Sequence, residues 1–197
     1  MFIRIVISVM IGYVLGSVVC AVLISKLFFK EDVREKGSGN SGATNAARVY
    51  GLRFGIVTFA FDFAKGILAC AIGLAIGGRA CMALSGLACV IGHCFPLFFG
   101  LRGGKGISVG AAFALMADWR VFAVALALFL IAAFLSKRVS VGSILGALAV
   151  GVCCVIFPPE TIIKLVGPIA AAIVIFMHRG NIKRLLSGKE PEFTLPR

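Results

Sequence analysis

The stretch "GISVGAAFALMADWRVFAVALALFLIAAFL", residues 106–135, decides how this chain is laid out. Read straight through, it is one apolar run, longer than the roughly 20 residues a bilayer-crossing helix needs. Read with Asp118-Trp119-Arg120 as a break, it is two segments, Gly106–Met116 and Val121–Leu135. Charge decides between the readings, because Lys and Arg collect on the cytoplasmic side of membrane proteins. With the break, Lys137 and Arg138 share a side with Lys26, Lys30, Arg34, Lys36, Arg48 and Arg53, and with Arg102 and Lys105. Arg179, Lys183, Arg184, Lys189 and Arg197 join them. Without it, Lys137–Arg138 and the basic tail land opposite the others. The break also gives Trp119 an interfacial position, which suits its amphipathic ring.

The rest of the chain fits that frame. Of 197 residues, 60% are apolar, more than a soluble domain of this length hides, so the bilayer is the solvent. The other apolar segments are Ile3–Leu27, Phe54–Ile76, Ala80–Phe99, Val139–Phe157 and Thr161–Met177. The expectation is an all-α integral membrane protein, one domain over residues 1–197. It has seven transmembrane helices, an external N-terminus and a cytoplasmic C-terminus. Gly106–Met116 is the short member. Ile3–Leu27 has a basic start at Arg4 but no A-x-A site, and Val19 spoils a lipobox before Cys20, so it reads as an uncleaved helix.

A net charge of +12 would suggest nucleic acid in a soluble protein. Here it sets topology and favours anionic lipid, and no nucleic-acid partner is expected. The seven cysteines (Cys20, Cys70, Cys81, Cys89, Cys94, Cys153, Cys154) all fall in apolar segments without a C-x-x-C, and read as packing residues. The two His and eight acids offer no familiar metal spacing, so neither metal nor cofactor is expected.

Four polar constellations stand out of the apolar background. "KGSGNSGATNAARVYG", residues 36–51, holds glycines that let a ligand approach the backbone, hydroxyls at Ser38, Ser41 and Thr44, Asn45, and the guanidinium of Arg48. No carboxylate lies between Lys36 and Phe61, so Arg48 is available to an anion; a flexible loop at lipid headgroups is the plainer reading. "GHCFPLFFGLRGGKGIS", residues 92–108, places Gly103, Gly104, Lys105 and Gly106 before an apolar helix, like a phosphate loop but without Walker spacing. His93 and the glycine turn also admit purely structural readings. "HRGNIKRLLSGKEPEF", residues 178–193, puts His178 and Asn181 on one helix face within a basic amphipathic tail. Asp62 and Lys65, three apart in an apolar helix, read as a structural ion pair, and Ser143 as a hydrogen-bonding residue inside a helix.

Together these motifs resemble the three signature regions of the bacterial membrane acyl-phosphate:glycerol-3-phosphate acyltransferases of PlsY type. "FDFAKG" and "VSVGSI" resemble further segments of that family in the same order. Ser41 stands where the family usually has Pro, and Gly180 where a charge is common. The resemblance implies transfer of an acyl chain from acyl phosphate to the 1-hydroxyl of glycerol 3-phosphate, giving lysophosphatidate and phosphate. It implies no cofactor, a soluble partner enzyme that makes the acyl phosphate, and a cytoplasm-facing site in the bacterial inner membrane. It carries activity roles to Ser38, Arg48, Lys105, His178 and Asn181. Substrate contacts are implied for Gly39, Thr44, Asn45, Gly103, Gly104, Gly106 and Ser143, and a structural role for Glu190. Either His178 or the acyl-phosphate oxygens could take the hydroxyl proton. A transporter for phosphorylated metabolites is the competing class, but the external connections show no second anion gate.

Overall fold

The computed structural model describes residues 1–193; Arg197 of the basic tail lies outside them. Among the described residues the regular structure is helical: α1 (Phe2–Gly16), α2 (Cys20–Ile24), α3 (Ala43–Tyr50), α4 (Leu52–Cys94), α5 (Ile107–Ala117), α6 (Trp119–Ser136), α7 (Val139–Ile156), α8 (Thr161–Met177) and α9 (Arg179–Leu186). The helix break at Asp118 is present. Asp118 is extended, and its carboxylate accepts from the Arg120 backbone N–H at 2.8 Å, capping α6.

At 43 residues, α4 would run about 65 Å if straight, twice the hydrocarbon thickness. It folds back instead. Gly77 and Gly78 leave helical geometry, and Gly78 takes φ 71°, a conformation glycine adopts without steric cost. The arms, 52–76 and 79–94, run antiparallel: Ser85 Oγ donates to Ala69 O at 2.8 Å, and Lys65 meets His93. The second arm stops at Cys94, short of the expected Phe99. Pro96 follows and cannot continue the helix, leaving a single 3₁₀ turn at Leu97–Phe99.

The expected unbroken helix Ile3–Leu27 needs correction. α1 ends at Gly16, α2 begins at Cys20, and Ser25–Phe29 is a π turn. The cause sits on another element: Lys65 Nζ donates to Gly16 O at 3.1 Å and Val18 O at 2.6 Å. Ser17 Oγ accepts from the Leu97 N–H. Broken helices are tolerated at membrane depth where buried polar groups take up the freed backbone in this way.

Small residues bring the helices together. Ser8, Gly12 and Gly16 form one buried face of α1. A Cβ at Gly12 would overlap the Ser85 carbonyl, one at Gly16 that of Cys89, and one at Gly92 that of Tyr13. Phe113 of α5 fills the main core with Cys70, Met82, Val121 and Ile163. All seven cysteines are buried free thiols.

Four helical stretches are long and apolar enough to cross a membrane, or five when α8 and α9, bent by 57°, count as one. α5, at 11 residues, spans only about 16 Å and is too short to cross a bilayer core of about 30 Å alone. The ends of α1, α4, α6 and α8 and the starts of α5 and α7 gather on one face of the bundle. On the other, the Arg79 guanidinium binds Glu160 at 2.7 Å and the Met116 and Ala117 carbonyls. Arg120 pairs with Asp118 and lies over the Phe157 ring. Arg79 and Arg120 are thus neutralised where they stand, and Arg4 and Lys164 are the other basic residues of this face.

Candidate active site

A cavity of about 690 Å³ opens on the basic face. One wall is the loop before α3. Gly37 and Gly39 take φ 60° and 71°, and Asn45 holds the loop from beneath. Asn45 Oδ1 accepts from the Ser38 N–H at 2.8 Å, and Nδ2 donates to Val33 O and Lys36 O. Asn45 thus lines the cavity with its amide already engaged by the loop, while Ser38, Thr44 and Arg48 also line it. Two of the three carboxylates just before the loop are taken: Asp32 pairs with Arg34 at 2.7 Å and Glu31 with Lys36. Arg48 makes no ion pair among the described residues, as the carboxylate-free stretch implied. Ser41, expected as a hydroxyl donor to a ligand, is instead fully buried with an unpartnered hydroxyl.

The glycine turn departs from a phosphate loop with open amides. The Gly103 N–H donates to Cys94 O at 3.2 Å and the Gly104 N–H to His93 O at 3.0 Å, closing the turn on itself. Neither glycine lines the cavity, nor does Gly39, and Gly106 lines an adjoining apolar one. What remains for an anion is Lys105 and the N-terminus of α5, which has no side-chain cap. Lys105 Nζ donates to Asn181 Oδ1 at 2.6 Å. Burial pulls its pKa down to about 8, the positive charges of Arg184 and Arg48 push the same way, and Glu190 opposes them.

The third wall is the α8–α9 bend. His178 Nδ1 donates to Val174 O at 2.8 Å, which leaves the lone pair on Nε2. Burial brings its pKa down to about 4, with Lys105 adding to the effect, so the ring is neutral at pH 7. Asn181 Nδ2 and Ser140 Oγ donate to Glu190 Oε1 at 2.7 and 2.6 Å, and Arg184 Nε to Oε2 at 2.7 Å. Burial alone would raise the Glu190 pKa, but these three donors outweigh it and hold the carboxyl below its ordinary range. Glu190 is a buried strut that fixes Asn181, and through it Lys105. Ser143, one turn from Ser140, lines the cavity as well.

Ser108, Ser140, Arg184 and His93 line the same cavity and escaped the sequence reading as site residues. The three-residue spacing of Ser140 and Ser143 was a usable signal. Arg184 was hidden among other basic residues of the tail. Asp62 and Lys65 pair at 2.7 Å as expected, but His93 joins them only because α4 folds back.

The arrangement suits a lipid with a phosphate. Three cationic side chains, Arg48, Lys105 and Arg184, face a neutral imidazole acceptor. The adjoining apolar cavity, about 160 Å³ between α5, α6, α7 and α8, shares Phe59, Ile107, Phe129 and Ser143 with the polar one. The polar and apolar spaces therefore lie side by side, as a charged head and an acyl chain require.

Residues 6–188 match the family described as glycerol-3-phosphate acyltransferase. A glycerol-3-phosphate acyltransferase of Finegoldia magna is 40% identical over 179 residues, covering 90% of each chain. One of Listeria monocytogenes is 38% identical over 195 residues, covering 98% of each. The crystal structure of PlsY (YgiH), an integral membrane glycerol 3-phosphate acyltransferase, in its glycerol 3-phosphate form, superposes with a TM-score of 0.91 at 31% identity over 96% of both chains. The lysophosphatidic acid form superposes at 0.88, over 96% of this chain and 95% of that one.

Proposed function

This chain belongs to the PlsY-type glycerol-3-phosphate acyltransferase family, and we propose that it moves an acyl chain from acyl phosphate to the sn-1 hydroxyl of glycerol 3-phosphate. The products are 1-acylglycerol 3-phosphate and inorganic phosphate, in phospholipid biosynthesis. One observation carries the reading: unneutralised Arg48, Lys105 and the Nε2 acceptor of His178 line a single cavity, and an apolar one shares four of its lining residues. Two phosphate-bearing substrates need neighbouring anion sites, and the acyl chain needs a dry path.

In this mechanism, Lys105 and Ser38 neutralise the leaving phosphate. Arg48, with His178 and Asn181, holds glycerol 3-phosphate. The hydroxyl oxygen attacks the acyl carbonyl carbon, the bond from that carbon to the phosphate oxygen breaks, and the hydroxyl proton leaves on the phosphate. His178 accepts from the neighbouring sn-2 hydroxyl and so orients the substrate, which leaves the sn-1 hydroxyl hydrogen to the phosphate. A ring with a pKa near 4 is a weak base at neutral pH, so the donor's own phosphate oxygens take the proton. Proximity supplies much of the rate, and fixed donors stabilise the developing oxyanion.

The seven apolar segments place the chain in the bacterial cytoplasmic membrane with the N-terminus outside, α5 completing its crossing only with the Gly103–Gly106 turn before it, and the basic face with its cavity lies in the cytoplasm. A soluble enzyme that forms acyl phosphate supplies the donor. Purified protein in detergent, given glycerol 3-phosphate with palmitoyl phosphate or palmitoyl-CoA, tests the donor. Lysophosphatidate from the phosphate donor alone is expected. Product from the thioester alone would discard the donor assignment, and no product from either would overturn the acyl transfer.

A further inference from the structure

Asp62, Lys65 and His93 meet beneath the glycine turn, and the chemistry above does not use them. The Asp62 and His93 side chains are almost fully buried, with exposures of 1% and 3%. Lys65 Nζ lies 2.7 Å from Asp62 Oδ1, 2.6 Å from Val18 O, 3.1 Å from Gly16 O and 3.0 Å from His93 Nδ1. Gly16 O and Val18 O can only accept and take two of the three Lys65 N–H groups, while the Asp62 carboxylate balances the charge without a hydrogen bond, so Lys65 is an ammonium whose third N–H is left for His93. His93 Nδ1, facing that ammonium, must then be an acceptor. A neutral imidazole that accepts at Nδ1 carries its proton on Nε2.

The Nε2 edge lies against Gly104, the residue before Lys105, so closely that a Cβ on Gly104 would overlap the ring. His93 lines the polar cavity. Its Nε2 has no hydrogen-bond partner among the described residues, and it is not one of the fully buried, unpartnered side-chain atoms. An ion pair alone would need only Asp62 and Lys65. The third member sets a fixed imidazole N–H beside Gly104, at the edge of the cavity that His93 lines.

We propose that His93 is a further substrate-binding residue, whose Nε2–H donates to a substrate phosphate oxygen beside Lys105, and that Asp62 and Lys65 are positioning residues that lock its tautomer. The inference rests on the cavity assignment above. Both substrates carry phosphate, so varying each separately tells which one His93 touches.

The test compares His93→Gln with His93→Asn. A glutamine amide reaches the place of Nε2, whereas asparagine reaches only that of Nδ1. A hydrogen bond to a charged group predicts that His93→Asn raises the KM for one phosphate substrate about tenfold or more, while His93→Gln raises it only about threefold. Wild-type kinetics in His93→Asn would overturn the proposal, as would equal impairment of the two variants, which would mark a purely structural role. Should His93→Asn fail to fold, Asp62→Asn decides: a raised KM for either phosphate substrate supports the relay, and an unchanged one sinks it. Lys105→Ala is run in parallel. Impairment there beside a normal His93→Asn removes only the His93 proposal; no impairment in either removes the cavity assignment with it.

Discussion

Lys105 shows how a single residue is tuned by its surroundings. The site needs its charge, yet burial favours the neutral form and brings its pKa to about 8. A lysine lowered in this way holds its proton below that value and loses it above. kcat/KM for glycerol 3-phosphate, which reports the free enzyme, should therefore fall about tenfold per pH unit above about pH 8. In Lys105→Arg the falling limb should disappear, since a guanidinium does not deprotonate in this range. A limb that persists would assign the titration elsewhere. The polar residues of the site were legible because an apolar chain has few reasons to carry Ser38, Arg48, Lys105, His178 and Asn181. Their bonding was not. Asn45 looks like a ligand contact until its amide is found holding Val33, Lys36 and Ser38, and the amides of Gly103 and Gly104 look open until Cys94 and His93 accept from them.

At the scale of elements, close helix approach depends on residues without side chains. Gly12 and Gly16 of α1 lie against the backbone of the second arm of α4. Gly12→Leu would force α1 off that arm and cost on the order of 1–3 kcal/mol. Thermal unfolding of the purified variant, followed in detergent, should show a clearly lowered midpoint; an unchanged midpoint would mean that the contact is not tight. The break between α5 and α6 could be read from charge balance, because Asp118 marks it locally. The break after Gly16 could not. Its neighbours Val18 and Val19 are apolar, and its cause, Lys65, belongs to a different helix. The same holds for the α4 hairpin: its two arms were legible as separate segments, but the meeting of Lys65 with His93 requires the fold.

The whole molecule is organised by one asymmetry. Most basic residues share a face with the motif residues, and Arg79 and Arg120 opposite are paired with Glu160 and Asp118. That asymmetry was legible because a bilayer sorts charge by side, which needs no knowledge of packing. On the proposed mechanism, the water-soluble substrate reaches the chemistry only from this face, while the acyl chain stays in the lipid. The most direct measurement reconstitutes the protein in sealed vesicles containing palmitoyl phosphate, with labelled glycerol 3-phosphate added outside only. Lys183→Cys on exposed α9 reports orientation through an impermeant maleimide, against a background of buried native cysteines. Labelled lysophosphatidate should rise in proportion to the molecules whose α9 faces outward, with no label entering the vesicles when the donor is left out. Product independent of orientation, or donor-free uptake of glycerol 3-phosphate, would contradict the account.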